Sequence, residues 1–334
     1  MKKLLVLMAV LSMTAISAFG AEYNFYGSAR IQTFVERHDN PGAVDPCTRY
    51  EQSLQSNSRI GARVRVNEHL TGRFEYGTGV DVRILYGEWH FGAGSLLVGQ
   101  GYSPLNMFYS NQVWSNDTDL FKFGGVYSGR NPMVRLKFDN FQIAAVQPST
   151  KQFFGNSTEV KIPRIEAKYR FSRDTWHLQI AGGYNSFDVS AGNTTYDVES
   201  YVAALGGGVK MGSAYANGDV WLGQNVGNYG LLNHPFDQCT LDWDNDAYGF
   251  LLVAGYKIND LLTFEAGLGY TAAELNHPLF KKDADAAYYL QSRITPAPGV
   301  TIVPEIGFID WKSNYTGADK GNIVYCGMKW QINF

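Results

Sequence analysis

The chain lacks long apolar runs. Beyond its first twenty residues, no stretch approaches the roughly 20 apolar residues that a membrane-crossing helix requires. Helical periodicity is nearly absent too, which excludes a helix bundle. Cysteine is scarce, three in 334 residues, too few for a disulfide framework. The six histidines are scattered, and none makes a metal-type pair. Basic charge is not in excess: 28 Lys and Arg stand against 31 Asp and Glu, so nothing suggests a nucleic-acid partner. An enzyme needs a nucleophile with a base in reach, and no Ser–His arrangement is visible in the strand-like segments. Gly206-Gly207-Gly208 is no phosphate loop, since no helix follows it. It reads as a crowded or bent strand. No cofactor is implied.

What is present points to sheet. There are 36 Gly, 21 Tyr and 20 Phe, a composition that favours pleated strands and hairpins. The chain opens on Lys2 and Lys3, an apolar run from Leu4 to Phe19, and the small residues Ala18 and Gly20. That pattern is a secretory signal over residues 1–20, cut between Gly20 and Ala21. The remaining 21–334 is expected to be one domain. Removing two lysines from 28 basic residues, against 31 acidic, leaves it at −5.

Sixteen candidate strands follow, and their connections carry the argument. Joints such as Asn140, Arg173-Asp174, Gly212-Ser213 and Asn259-Asp260 are short. They alternate with longer ones: 38–57, 101–132, 147–160, 188–200, 225–246, 273–285 and 311–321, with 77–80 as the exception. An up-and-down transmembrane barrel, with short turns at one end and long loops at the other, produces this parity. The fold expected is therefore all-β: a closed antiparallel transmembrane β-barrel of 16 strands. Sixteen strands leave an aqueous channel. The 32 residues Gly101 to Pro132 are too long for a hairpin and are expected to fold inward as a constriction loop.

The alternation suits a wet lumen. Ile60, Ala62, Val64 and Val66 share one phase, and Arg59, Arg63 and Arg65 the other. Ile165, Ala167, Tyr169 and Phe171 oppose Arg164, Glu166, Lys168 and Arg170. Charge on a lipid-facing phase costs about 2–4 kcal/mol at the midplane. By this phase Arg30, Arg73, Arg83, Arg135 and Lys137 also face inward, with Glu75 and Glu166 the main inward acids. The residues after Arg83 break phase at Glu88. Trp89, Phe91, Trp176, Trp311 and Trp330 fall near strand ends, where aromatic girdles form.

Four stretches resemble the general diffusion porins of Gram-negative outer membranes: Ala21 to Arg30 (AEYNFYGSAR), Ser58 to Ala62 (SRIGA), Arg83 to Leu105 (RILYGEWHFGAGSLLVGQGYSPL) and Lys329 to Phe334 (KWQINF). The resemblance implies a homotrimer in the outer membrane, among lipid and lipopolysaccharide, passing small hydrophilic solutes and ions. It also implies a third loop whose acids face a basic wall. The wall is then drawn from Arg59, Arg63, Arg83, Gln100 and Arg135, and the loop's share from Tyr102, Asp117, Asp119 and Lys122. Gln100 stands where the family often carries arginine.

Three smaller features stand beside this. Cys47 and Cys239 fall in outer loops, where an oxidising compartment allows a bridge. Asp242, Asp244 and Asp246 are spaced as Ca²⁺ candidates, yet lack the Gly and distal Glu of an EF-hand; a solvated acidic loop is the plainer reading. Cys326 reads as a small apolar residue facing lipid.

The leading function is a passive outer-membrane channel with mild anion preference. The alternative is a substrate-specific channel with a sugar- or anion-binding slide, kept open by Tyr102, Phe108, Tyr109 and Trp114 on the loop. An outer-membrane enzyme and a secreted soluble β-protein are the remaining readings.

Overall fold

The computed structural model describes residues 21–42, 45–148, 150, 157–232, 240 and 243–334. The signal segment 1–20 lies outside the described residues.

Among the described residues, eighteen antiparallel strands form one sheet. The first six are β1 (Glu22–Asp39), β2 (Cys47–Leu54), β3 (Arg59–Arg65), β4 (Leu70–Tyr76), β5 (Val82–His90) and β6 (Ser95–Tyr102). After the long interruption come β7 (Arg130–Phe138), β8 (Phe141–Val146), β9 (Ser157–Glu159), β10 (Arg164–Ser172), β11 (Trp176–Ala191) and β12 (Thr194–Met211). The last six are β13 (Ala214–Gln224), β14 (Asn245–Lys257), β15 (Leu262–Leu275), β16 (Asp283–Ala297), β17 (Val300–Ser313) and β18 (Asn322–Asn333). β2 and β3 both pair with β1, and β9 and β10 both pair with β11, so each pair fills one wall position. The barrel has sixteen positions. β1 pairs with β18 from Ser28–Asn333 to Asp39–Asn322, which closes the sheet. Closure is what a sheet in hydrocarbon requires, because every backbone group must be paired.

The outer face is apolar. Ile60, Leu85, Val98, Ile180, Leu252, Leu290, Ile306 and Ile332 are each more than half exposed. So broad an apolar belt suits lipid, not water. Cys326 is exposed on the same phase, beside Val324 and Trp330. Trp89 packs on Phe91 at 5.4 Å and Phe171 on Trp176 at 5.2 Å, both beside short turns. Trp311 departs from the girdle expectation: it points inward and meets Phe123 at 5.3 Å.

Three expectations are corrected here. Residues 188–200 are mostly strand, since β11 and β12 stay paired out to Ala191–Thr194. Much of 38–57 is likewise a hairpin, with His38 opposite Cys47. Pairing continues past the lipid, where outward side chains no longer need to be apolar, so the pattern fades before the strand does. The long interruption is 103–129, because β6 and β7 pair as far as Tyr102–Arg130.

The phase break in β5 has a local cause. The register shifts between Glu75–Ile84 and Tyr76–Val82. A bulge of this kind re-aims the side chains beyond it. Tyr86 and Glu88 therefore oppose Arg73 and Thr71 on the inward phase, while Arg83 still reaches Glu75.

Candidate functional site

The segment 103–129 lies inside the barrel and supplies much of its buried apolar core. Leu105, Met107, Tyr109, Val113, Leu120, Phe123 and Val126 pack on wall residues Phe34, Trp221, Leu251, Tyr289 and Tyr325. Wall glutamates hold its backbone. Glu166 accepts from Leu105 N at 3.0 Å, and Glu265 from Asn111 N at 3.2 Å. Glu305 accepts from Val113 N at 2.8 Å and Trp114 N at 3.1 Å. Glu36 accepts from Trp114 Nε1 at 2.7 Å. A loop cannot make ladder hydrogen bonds, so its buried amides need such acceptors.

At the loop tip the backbone turns left-handed. Ser115, Asn116, Asp117, Asp119 and Leu120 all have φ between 50° and 66°. Non-glycine residues persist there only where neighbours fix them. The break between β2 and β3 supplies those neighbours: Ser56 N donates to Asn116 Oδ1 at 2.8 Å and Asn57 Nδ2 to Asp117 at 2.7 Å.

Glycines admit the returning limb. A Cβ on Gly269 would lie 1.8 Å from the Phe123 carbonyl oxygen, and one on Gly124 (φ 108°) 1.9 Å from that of Phe250. All of Gly206-Gly207-Gly208 is crowded: a Cβ would meet Tyr109 at 2.6 Å on Gly206, the His177 carbonyl oxygen at 2.7 Å on Gly207 and Asn217 Oδ1 at 2.1 Å on Gly208. Gly269→Val is expected to push the Phe123 limb into the lumen, with an overpacking cost of about 1–3 kcal/mol. Single-channel conductance should fall and protease cleavage within 103–129 should quicken. Unchanged values of both would mean that this contact does not hold the limb.

The charges are arranged differently from the expectation. Asp117 does not face Arg59 and Arg83. It pairs with Arg30 at 2.6 Å and Lys329 at 3.0 Å, on the side of the wall where the tip docks. Asp119 makes no hydrogen bond or ion pair among the described residues, and burial, with Asp117 beside it, holds its carboxyl well above the ordinary range. Lys122 is exposed on the returning limb. Next along the wall, on β3 to β5, Glu75 is fully buried beneath Arg83 (2.9 Å), Arg73 (2.9 Å) and Arg59 (3.5 Å). Arg164 pairs with Glu166 at 3.0 Å. These arginines brace the wall.

Several inward cations have no such partner among the described residues. Arg135, Lys137, Lys168 and Arg170, on β7 and β10, form no ion pair among the described residues; Arg135 only reaches the Tyr102 carbonyl at 3.4 Å and Arg170 the Ser172 hydroxyl at 3.3 Å. Arg63 also faces inward, over the Tyr26 ring at 5.7 Å. Gln100 does not line the constriction. It lies opposite Leu85 and Pro132 on the outward phase, and its amide donates to the Val82 carbonyl at 2.6 Å.

A second inward segment was not anticipated. In the turn Val226–Tyr229, Tyr229 lies under the Arg164 guanidinium at 5.4 Å, and the Asn228 carbonyl accepts from Arg164 at 3.1 Å. Cys47 is a free, exposed thiol, while Cys239 and Asp242 lie outside the described residues. Asp244 accepts from Asn225 and Asp246 is exposed, and no metal-ligating cluster occurs among the described residues.

No family model matches the sequence, and no curated protein does. Solved structures do match in fold. The outer membrane channel DcaP of Acinetobacter baumannii superposes with a TM-score of 0.74 at 16% identity, over 95% of this chain and 98% of that one. OmpF of Salmonella typhi gives 0.64 at 13% identity, over 94% and 98%. The anion-selective porin from Comamonas acidovorans gives 0.59 at 11% identity, over 93% and 100%. The chain has the fold of outer-membrane channels.

Proposed function

We propose, from that fold, that the chain is a porin of the bacterial outer membrane. Residues 1–20 direct export, and 21–334 form a water-filled channel for passive diffusion of small hydrophilic solutes and ions. It sits among lipid and lipopolysaccharide as a homotrimer, the assembly implied by the porin-like stretches. Anions are preferred.

One observation carries the ion preference: cations without an ion pair among the described residues cluster on one stretch of the lumenal wall, β7 and β10. Glu75, Glu166 and Asp117 are each held by arginine or lysine, whereas Arg135, Lys137, Lys168 and Arg170 are not paired. Selectivity in a pore follows the charged groups that line it. The net −5 of residues 21–334 does not decide the matter, because screening confines exposed loop acids to about 8 Å at physiological salt. Purified protein in a planar bilayer, under a KCl gradient, is expected to give a reversal potential displaced toward that of chloride. Displacement toward potassium would refute the preference.

A further inference from the structure

The constriction loop leaves one aromatic ring facing water. Tyr109, Trp114 and Phe123 are buried against the wall, yet Phe108 is 53% exposed. It cannot easily turn away. Tyr102 meets it edge-on at 5.1 Å, Phe121 at 5.8 Å and Tyr127 at 6.1 Å, and Phe121 stacks on Tyr127 at 4.3 Å. Such edge and stacked contacts fix ring orientation.

Phe108 borders a cavity of about 280 Å³ at the root of the loop, small for a ligand site. Arg135, Lys168 and Arg170 also line it. All three are among the inward cations without an ion pair among the described residues. The cavity also holds polar atoms with no hydrogen-bond partner among the described residues: Tyr109 Oη, His177 Nε2 and Arg135 Nε. Tyr109 is 5% exposed, so its hydroxyl is held in place by packing with nothing to bond. The His177 ring stacks on it at 5.6 Å. Buried polar groups are ordinarily satisfied, so several orphans in one cavity mark a place where something else bonds.

We propose that this cavity binds small aromatic anions, the ring lying on Phe108 and the acid group among Arg135, Lys168 and Arg170. The assignment rests on the channel reading above and names the solute class its lumen selects. The chemistry excludes the neighbours of that class. A cation meets three like charges. A sugar finds acceptors in the cavity's amides, Gln142, Gln179 and Asn217, but leaves its three cations without a counter-charge. An inorganic anion satisfies the cations but leaves Phe108 wet. Only a solute with both features uses both the ring and the cations.

Block of single-channel current tests this, with benzoate, acetate and benzamide added to purified protein in planar bilayers. Benzoate is expected to block at a concentration about tenfold below acetate, the scale of one aromatic contact. Benzamide, with the ring but no charge, should not block in that range. Phe108→Leu keeps an apolar side chain and should cut the benzoate advantage to less than about twofold. Lys168→Gln with Arg170→Gln should weaken benzoate block while the channel still conducts. Equal block by benzoate and acetate in the unaltered protein overturns the site, whatever the variants do, and so does an advantage that survives Phe108→Leu. A cation-preferring pore overturns the anion preference on which the assignment rests, whereas an anion-preferring pore indifferent to the ring overturns this site alone.

Discussion

A Glu75→Gln barrel is expected to be less stable by about 3 kcal/mol and more anion-preferring than the parent. Glu75 has no exposed surface, and its two oxygens serve Arg59, Arg73, Arg83 and the Tyr26 hydroxyl. Glutamine can accept one or two of these bonds but brings no charge. Three guanidiniums then face one another across one neutral amide. Removing one partner of a buried ion pair costs about 3–5 kcal/mol, because the remaining charge is left uncompensated. The lower end applies here, since Arg59 and Arg73 side chains keep 19% and 24% exposure and water screens them. Arg83, at 5%, has no such relief. The stability change is read from the temperature at which the folded barrel unfolds in detergent. The charge change is read from the reversal potential, which should move further toward chloride. A destabilised barrel with an unmoved reversal potential would show that Glu75 braces the wall without sensing the permeation path.

The wall was legible in the sequence for a reason that also sets its limit. Lipid penalises charge on every second residue, so Arg59–Arg65 and Arg164–Phe171 announce both their strand and their inward face. That penalty stops at the membrane edge. The upper reach of β11 and β12 carries Asp188, Thr195 and Glu199 and looked like a loop, although its backbone ladder is unbroken. The bulge in β5 was legible only as a broken phase at Glu88. Its register shift depends on β4, and no single strand encodes it.

Pairing within the lumen was less legible still. Arg59 and Arg83 were visible as inward arginines, but their capture by Glu75 depends on where three strands set their registers. Gln100 was misplaced because its phase was inferred from a resemblance, whereas the register sets it opposite Leu85. Asp117 was placed on the correct loop, but its partners are Arg30 and Lys329 on the neighbouring β1 and β18, not Arg59 and Arg83. Where a loop's tip docks follows from which amides find acceptors, and residue spacing does not state that. The Glu166 alternation gave an inward acid without saying that it holds a loop.

Glu305→Ala is expected to free the loop tip while sparing the barrel. Glu305 is 4% exposed and is the shared acceptor for Val113 N, Trp114 N and Tyr325 Oη. Its loss strands three buried donors, each at about 1–3 kcal/mol. Water entering the space relieves part of that, so a net loss of about 3 kcal/mol in docking is expected. The strained turn at Ser115–Asp117 adds to the effect, since its left-handed backbone relaxes once the hold weakens. Asp117 on Arg30 and Lys329 remains as the outer tether. The tip should therefore alternate between docked and released positions instead of leaving the wall outright. Wall strands β17 and β18 keep their ladder, because the substitution touches no backbone bond. Single-channel traces should change from one steady level to flickering between levels, with the thermal unfolding of the barrel nearly unmoved. A steady trace at the parent level would assign the docking to the tether alone, and a barrel that unfolds early would mean that loop and wall form one cooperative unit.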